Sequence, residues 1–337
     1  MLLEAGIQPD ILVCRTEYHL NSEIKRKIAL FCNVEKNAVI ESIDANTIYD
    51  VPLLMQKEEL DKVVLRKLGL KDDTEVILKE WKSFLKKLKN PKKTIEIGLV
   101  GKYTELKDAY KSISESTIHA GALLECKVQI RWIHAEEINK KNISKKLLGL
   151  NGVIVAPGFG DRGIEGKIDT INFIRKNNIP FFGICLGMQT AVIEFARNVL
   201  KLRDVNSTEM NPKCKNPVID LMEGQKDIKQ KGGTMRLGSY KCHLEKNSSS
   251  FKSYNKLDIN ERHRHRFEFN NKYLSDFEKA GMIAAGKNIE NNLVEIVEIP
   301  SHPWFVGVQF HPEYNSTVAN PHPLFIEFIN ACIQNKK

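Results

Sequence analysis

The sequence predicts an α/β fold, a doubly wound and mostly parallel sheet over residues 94–337. From Thr94 onward, short apolar runs typical of buried strands alternate with segments of helical periodicity. Strands are predicted at 95–100, 128–133 and 153–155, and helices at 109–124 and 168–176. This alternation indicates helices on both faces of the sheet and an active site at the carboxyl ends of the strands.

A strand-to-helix turn at Cys185 carries the first candidate catalytic residue. The apolar run 179–182 predicts a buried strand, and residues 188–199 repeat apolar side chains at helical spacing. Gly183 and Gly187 flank the cysteine, and we expect their backbone freedom to permit the sharp turn. Unpaired N–H groups at a helix N-terminus favour a thiolate, so Cys185 is a candidate nucleophile.

A second strand end supplies a candidate base. The run 304–308 predicts a strand that ends close to His311, and Glu313 follows two residues later, where it could hold the imidazole in one tautomer. Taken alone, the cysteine would be a small core residue and the His-Pro-Glu sequence a surface turn. Their joint occurrence at strand ends of one α/β pattern favours a Cys185/His311/Glu313 triad.

These motifs resemble those of a known enzyme family. Residues 183–189 read Gly-Ile-Cys-Leu-Gly-Met-Gln and residues 309–313 read Gln-Phe-His-Pro-Glu, a combination similar to the triad-type (class I) glutamine amidotransferases. Further segments resemble the CTP synthase family within that group, namely 6–15, 28–34, 100–103, 108–112, 206–209, 232–238 and 261–266.

The resemblance implies glutamine hydrolysis, with roles for residues around the nucleophile. The N–H of Leu186 would stabilise the oxyanion, and Gly158 would supply the second donor. Family members commonly have two glycines after the proline of this loop, whereas residues 156–160 read Ala-Pro-Gly-Phe-Gly, so the exact second donor is left open. The glutamine itself would be bound by Phe159, Gln189, Glu209 and Arg266, with Arg266 on the α-carboxylate and Glu209 on the α-ammonium group.

The resemblance also divides the chain into three parts. Residues 1–70 are expected to be the C-terminal remnant of a synthetase (amidoligase) domain, 71–93 a helical interdomain linker and 94–337 the glutaminase domain. Two residues of the remnant, Lys27 and Phe31, would lie at a UTP/CTP site, and Asp44 and Ile48 at the ATP site. The chain contains no Gly-x-x-x-x-Gly-Lys-Ser/Thr loop, so the ATP phosphate site and the ligands of the accompanying Mg²⁺ are expected outside this chain.

Partners are likewise implied by the family. They are L-glutamine here, and UTP, ATP and GTP in the full-length enzyme, which would be a homotetramer. Residues 232–238 resemble a mobile lid that takes part in GTP activation. We expect no covalently bound cofactor and no resident metal, although the His263-x-His265 sequence leaves a metal site open as an alternative.

Composition limits the other functional classes. The formal net charge is +9, but residues 71–93 contribute eight lysines against four acidic residues in a predicted amphipathic helix, so no nucleic-acid role is expected. Seven cysteines without a Cys-x-x-Cys pair suggest a reducing cytoplasm, and no apolar run reaches the length of a membrane span.

Two other functions remain open at this point. One is a stand-alone thiol hydrolase of the same fold that acts on γ-glutamyl substrates, and the other is a non-catalytic assembly or regulatory subunit. Whether the chain is a fragment, a truncated gene model or a natural short form is also open.

Overall fold

The computed structural model describes residues 4–71, 76–221 and 235–335. The chain divides into two compact units, Met1–Lys86 and Lys87–Lys337. No helix in the described ranges is long and apolar enough to cross a membrane.

Unit 1 has a small sheet and a small core. Two strands, β1 (Leu12–Thr16) and β2 (Val39–Ile43), pair in parallel. The helices that follow the strands in this part of the chain are α1 Ser22–Cys32, α2 Val51–Lys57, α3 Leu60–Lys67 and α4 Lys79–Lys89. One hydrophobic cluster is formed by Ala38, Ile40 and Val63, and Tyr49, Phe84 and Leu85 are also buried.

Helix α4 lies in the stretch expected to be a helical linker and crosses the boundary between the units at Lys86. Its aromatic side contacts unit 1. The indole N–H of Trp81 donates to the Tyr49 carbonyl at 2.7 Å, and the Phe84 ring meets the Tyr49 ring edge-on at 4.9 Å. Residues 72–75 of the expected linker lie outside the described residues.

Unit 2 is built on a nine-stranded sheet with the order β10-β9-β12-β13-β14-β6-β5-β3-β4. Its strands are β3 Lys93–Gly101, β4 Cys126–His134, β5 Gly152–Val155, β6 Phe181–Ile184, β9 Arg236–Leu244, β10 Asp258–His265, β12 Ile283–Asn288, β13 Leu293–Glu298 and β14 Phe305–Val308. A separate three-stranded sheet is formed by β7 Val205–Ser207, β8 Asn216–Leu221 and β11 Phe267–Phe269.

The five strands from β14 to β4 are parallel, which confirms the predicted parallel core. The strands from β10 to β14 pair antiparallel, and the prediction included β14 but not β9, β10 or β12. Strand β10 explains the difference, because every second residue along it is buried and these include Glu261, His263 and His265. A half-buried strand is recognised in a sequence by apolar residues at alternate positions, and β10 has polar or charged residues at three of these positions.

Helices cover both faces of the sheet. They are α5 Lys111–Leu123, α6 Ile143–Leu147, α7 Ile164–Lys176, α8 Leu186–Asn198, α9 Ser249–Tyr254, α10 Leu274–Lys279 and α11 Pro323–Gln334. Strand side chains alternate between the two layers: Val153 and Phe181 join the cluster that includes α7 and α8, whereas Ile154 and Phe182 join the cluster that includes α5 and α11. The expectation of a doubly wound sheet is therefore confirmed.

Strand register brings the loops of interest to one edge. Ile184 of β6 is paired with Val308 of β14, and Val155 of β5 is paired with Gly183. The segments that follow these three strands begin with Ala156, Cys185 and Gln309. All three leave the sheet at the carboxyl ends of neighbouring parallel strands.

Candidate active site

The turn at Cys185 is strained at the cysteine itself. Cys185 has φ 51° and ψ −103°, stands as the N-cap of α8 and is 3% exposed. A positive φ is uncommon for a residue with a side chain and is a form of strain found at functional sites. The backbone N–H of Cys185 donates to the Val308 carbonyl at 2.7 Å, which ties the turn to β14.

The prediction that Gly183 and Gly187 are needed for their backbone freedom is wrong. Neither Gly183 nor Gly187 is among the residues with positive φ. Instead, a Cβ on Gly187 would lie 2.1 Å from the Val155 carbonyl oxygen, and a Cβ on Gly183 would lie 2.8 Å from the Gly187 backbone. The glycines are needed because α8 starts against the backbone of β5, and this close approach leaves no room for a side chain.

The structure brings the three proposed triad residues together. The His311 Nδ1 atom lies 2.8 Å from Glu313 Oε1, and both side chains are buried. The other ring nitrogen, Nε2, is buried and forms no hydrogen bond with the described residues. The imidazole is therefore oriented on one side by a carboxylate and has its other nitrogen available on the side of Cys185.

The electrostatic environment of His311 favours its charged form. Burial by itself lowers the pKa of His311, but interaction with the Cys185 side chain and with Glu313 outweighs burial and raises the pKa to about 11. An imidazole with such a pKa is protonated at neutral pH. The buried carboxylate of Glu313 thus favours an imidazolium beside Cys185.

Gln309 also contacts the candidate nucleophile, although no role was predicted for it. Its Nε2 atom lies 3.7 Å from Cys185 Sγ, and its Oε1 accepts from Gln189 Nε2 at 3.2 Å. The signal was present in the Gln-Phe-His-Pro-Glu motif, but a contact between Gln309 and Cys185 depends on the pairing of β14 with β6.

A pocket opens beside Cys185, and every residue expected to bind glutamine lines it. Gln189 is buried and donates to the Phe267 carbonyl at 3.0 Å, while Glu209 accepts from Gly160 N–H at 3.0 Å. Arg266 is half-buried. The complete lining is Gly158, Phe159, Cys185, Gln189, Glu209, Met235, His265, Arg266 and Phe267. Of these, Met235, His265 and Phe267 were not predicted as pocket residues.

One of the two expected oxyanion donors, Gly158, lines this pocket, and the other, Leu186, follows Cys185 directly. Leu186 is the first residue of α8, and the first N–H groups of a helix have no acceptor within it. A Cβ on Gly158 would lie 3.5 Å from the Leu186 side chain, so the loop after β5 reaches the start of α8. The donor roles of Leu186 and Gly158 stay predictions.

Residues 105–331 match the family described as glutamine amidotransferase class-I. The chain belongs to this family. Residues 1–70 match a second family, described as CTP synthase N-terminus.

This amidotransferase is similar to CTP synthases over its whole length. It is 63% identical over 331 residues to the CTP synthase of Cytophaga hutchinsonii, which covers 98% of the chain and 61% of the relative. It is 58% identical over 336 residues to that of Flavobacterium johnsoniae, which covers 100% of the chain and 63% of the relative. The predicted resemblance is confirmed, and the chain spans little more than three fifths of the length of these relatives.

A solved relative supports the fold class. The glutaminase domain of Trypanosoma brucei CTPS, solved with bound acivicin, has a TM-score of 0.68 and 37% sequence identity, and the match covers 72% of this chain and 95% of that one. The predicted class I amidotransferase-like fold is confirmed.

A buried charge cluster lies behind the pocket wall of this amidotransferase. Arg236 is 5% exposed and pairs with Glu268 at 3.0 Å and Glu295 at 2.8 Å. Burial, assisted by His265 and Arg236, lowers the pKa of His263 to about 2, so this imidazole is neutral. No group of three or more His, Cys, Asp or Glu side chains within residues 4–71, 76–221 and 235–335 is arranged to hold a metal ion.

The expected lid is only partly described. Residues 232–234 lie outside the described residues, whereas Arg236 to Gly238 are the first residues of β9. The doubly paired Arg236 fixes this end of the segment, and Met235 beside it lines the pocket.

The residues expected to bind nucleotides lie on the surface of unit 1. Lys27 and Phe31 share one side of α1, where Lys27 pairs with Glu23 and Phe31 is 83% exposed. Asp44 follows β2 and Ile48 is 60% exposed. A groove of unit 1 is lined by other charged residues, including Lys25, Lys36, Lys57, Lys62 and Arg66, and by none of these four. Their nucleotide roles stay predictions.

Proposed function

We propose that this chain hydrolyses L-glutamine to glutamate and ammonia at Cys185, as the glutaminase part of a CTP synthase. The observation that carries the proposal is the meeting of Cys185, His311 and Glu313 beside a pocket that offers both Arg266 and Glu209. A pocket with a cation and a carboxylate suits a free amino acid, which carries both charges.

The raised pKa of His311 supports a resting state in which the thiol proton already resides on the imidazole. The Cys185 thiolate then attacks the carboxamide carbon, and the negative charge moves to its oxygen. N–H groups of Leu186 and the Gly158 loop stabilise that charge. As the C–N bond breaks, His311 donates its proton to the leaving nitrogen, which departs as ammonia and leaves a γ-glutamyl thioester.

The second half of the reaction uses the same imidazole as a base. Neutral His311 removes a proton from water, and the hydroxide attacks the thioester carbonyl. Collapse of this tetrahedral species breaks the C–S bond, releases glutamate and restores the thiolate–imidazolium pair. Glu313 holds the ring in the orientation that both halves require.

Recognition of the α-substituents is assigned to two charged residues of the pocket lining. Arg266 takes the α-carboxylate, because a guanidinium fork matches its geometry. Glu209 Oε1 accepts from Gly160, and Oε2 is offered to the α-ammonium group. The Phe159 carbonyl accepts a hydrogen bond from Lys102, so Phe159 contributes to this pocket through its side chain and its position in the loop.

The wider reaction belongs to the longer protein that the relatives suggest. There, ammonia from this site would aminate UTP that ATP has activated, with Mg²⁺ accompanying ATP, GTP as activator and a homotetramer as the assembly. The seven cysteines are all free, which supports a reducing compartment, and we place the reaction in the cytoplasm.

A labelling experiment tests the nucleophile. A diazoketone analogue of glutamine should alkylate Cys185 ahead of the other six cysteines, as read by peptide mass mapping. Cys185→Ala should abolish ammonia release, while Cys14→Ala in unit 1 should leave it unchanged. Modification mainly at Cys126 or Cys242 would contradict the proposal, and faster cleavage of γ-glutamyl peptides than of glutamine would favour the stand-alone hydrolase.

A further inference from the structure

Two sequence motifs, residues 100–103 and 108–112, lie outside the triad and the glutamine pocket. Lys102 is the central residue of the first. It follows β3 directly and is only 5% exposed. A buried ammonium group is costly unless it is hydrogen-bonded, so the partners of Lys102 indicate what the chain uses it for.

Those partners belong to the loop that is expected to form the oxyanion site. Lys102 Nζ donates to the Phe159 carbonyl and, at 3.4 Å, to the Gly160 carbonyl. The stem of the side chain lies under the same loop, since a Cβ on Gly158 would be 3.6 Å from Lys102 Cε. One lysine therefore touches or underlies three consecutive residues, Gly158 to Gly160.

The peptide between Phe159 and Gly160 is held at both ends. Its carbonyl accepts from Lys102, and its N–H donates to Glu209 Oε1 at 3.0 Å. The C=O and N–H of a trans peptide point in opposite directions, so Lys102 and Glu209 bind the same peptide group at opposite edges. Rotation of this peptide would break both contacts and would move Gly158 and the Glu209 carboxylate together.

The second motif supports the lysine. The Tyr110 hydroxyl accepts from the backbone N–H of Lys102 at 3.0 Å and from that of Tyr103 at 3.5 Å. A Cβ on Gly101 would lie 2.5 Å from this hydroxyl oxygen, so the glycine is needed for the ring to reach the backbone. The Tyr110 hydroxyl of the second motif thus holds the backbone of Lys102, and Lys102 in turn holds the loop at Phe159 and Gly160.

We propose that Lys102 is a positioning residue for glutamine hydrolysis, and that it orients the Phe159–Gly160 peptide so that Gly158 faces the Cys185 thiolate and Glu209 faces the substrate. This inference rests on the proposed function. In this role Lys102 contacts neither the substrate nor the Cys185 side chain. It acts through the loop, and its removal affects both the oxyanion donor and the ammonium site.

The test compares two electrophiles on Lys102→Met in the whole chain. Iodoacetamide needs only a reactive thiolate, whereas the diazoketone analogue of glutamine also needs the pocket and the loop. We expect iodoacetamide to label Cys185 at the wild-type rate within about twofold, and the analogue to label it about 10- to 100-fold more slowly, the range for a reacting group misplaced by about 1 Å. In steady-state assays kcat should fall and KM for glutamine should rise.

Two further variants complete the experiment. Tyr110→Phe removes only the hydroxyl and should change the ratio of the two labelling rates in the same direction by a smaller factor. Lys107→Met, an exposed lysine in the same turn, should change neither rate. An unchanged ratio in both Lys102→Met and Tyr110→Phe, or equal slowing with both reagents, would overturn the proposal. The ratio does not require turnover, so a wild-type chain that is labelled but releases no ammonia would contradict the proposed function alone.

Discussion

The two units differ in how much of their apolar surface they bury. Unit 2 encloses two large clusters, one on each face of a nine-stranded sheet. Unit 1 buries far fewer apolar side chains beside its two strands, and its Leu30 and Phe31 are 80% and 83% exposed. Three or more strands with an apolar face, or packing of the strands against a helix, are needed for independent stability. Unit 2 therefore contains a complete scaffold for its site, whereas unit 1 presents its candidate nucleotide residues on an open surface.

The difference shows which kind of site can be derived from one chain. The unit 2 site is assembled from the ends of adjacent strands, so burial and register bring its residues together. The unit 1 residues are identified by resemblance, and Lys27 with Phe31 on α1 and Asp44 after β2 remain exposed. Catalysis and local stability are expected to follow the same division between unit 1 and unit 2.

The largest expected effect is a reaction that occurs in one unit only. The purified chain should release ammonia from glutamine but form no CTP from UTP, ATP and ammonium chloride. Phosphoryl transfer needs a backbone cradle for ATP phosphates and carboxylates for Mg²⁺, and the sequence has no cradle motif. Chromatography of the nucleotides measures the product. Robust CTP formation by the chain alone would break the comparison, because unit 1 would then hold a working site.

The next effect concerns Arg266 in the pocket wall. Arg266→Ala should raise KM for glutamine by a factor that corresponds to about 2–5 kcal/mol, because the α-carboxylate loses a bidentate partner. The KM of Arg266→Lys should lie between that of the wild type and that of Arg266→Ala, because an ammonium group keeps the charge but not the planar fork of the guanidinium group. Initial rates over a wide range of glutamine concentration give KM and kcat separately.

The matched control for that experiment is Arg15→Ala in unit 1. Arg15 is exposed and pairs with Asp44 at 3.4 Å, so its removal should leave both kinetic constants unchanged. An unaltered KM in Arg266→Ala would remove this residue from the glutamine site.

Much of the site could be predicted because its motifs are continuous in sequence. Strands with both faces buried, such as β5 and β6, have apolar runs that identify them, and Cys185 and His311 each directly follow or closely follow such a run. The lysine beneath the loop could not be predicted in the same way. Lys102 and Phe159 are 57 positions apart, and only the pairing of β3 with β5 brings them into contact.

The antiparallel part of unit 2 escaped prediction for a different reason. Buried positions on β9 and β10 hold polar side chains. Arg236 forms ion pairs with Glu268 and Glu295, and Glu261 is hydrogen-bonded to His322. The neutral imidazole of His263 is buried without a hydrogen bond to the described residues. A polar side chain at an inward position reverses the usual alternation. The same inversion hid His265 as a pocket residue.

A smaller effect is expected in local stability. Amide hydrogens of β1 should exchange through a local opening reaction whose free energy is at least about 3 kcal/mol lower than that of the opening that exposes β5. Exchange protection follows the local burial of apolar surface. Hydrogen exchange of the whole chain, read by mass spectrometry of peptides, compares the two strands in one sample. Equal protection of β1 and β5 would show that unit 1 is stabilised by more than the burial of its few apolar side chains.

A final effect is a pH dependence that arises from Lys167 on α7. This side chain is fully buried and donates to the Ala156 carbonyl at 2.6 Å, whereas the described lysines of unit 1 are exposed or half-buried. Burial, with a contribution from the charge of Lys102, lowers the pKa of Lys167 to about 7. The unfolded chain, with a lysine pKa of about 10.4, binds more protons than the folded chain between these two values, so this group makes stability rise with pH in that window.

Lys167→Met removes the titration and thereby isolates it. The free energy of unfolding of the variant minus that of the wild type should be most positive below pH 7 and should fall as the pH rises, by at most about 1.4 kcal/mol per pH unit. His311, whose raised pKa has the opposite effect on stability, is present in both proteins and largely cancels in the difference. Denaturant titrations between about pH 6.5 and 10 measure it, with Lys176→Met, exposed at the end of the same helix, as the control. A difference that does not change with pH would mean that Lys167 stays charged in the folded protein, and that the loop after β5 tolerates two buried ammonium groups at neutral pH.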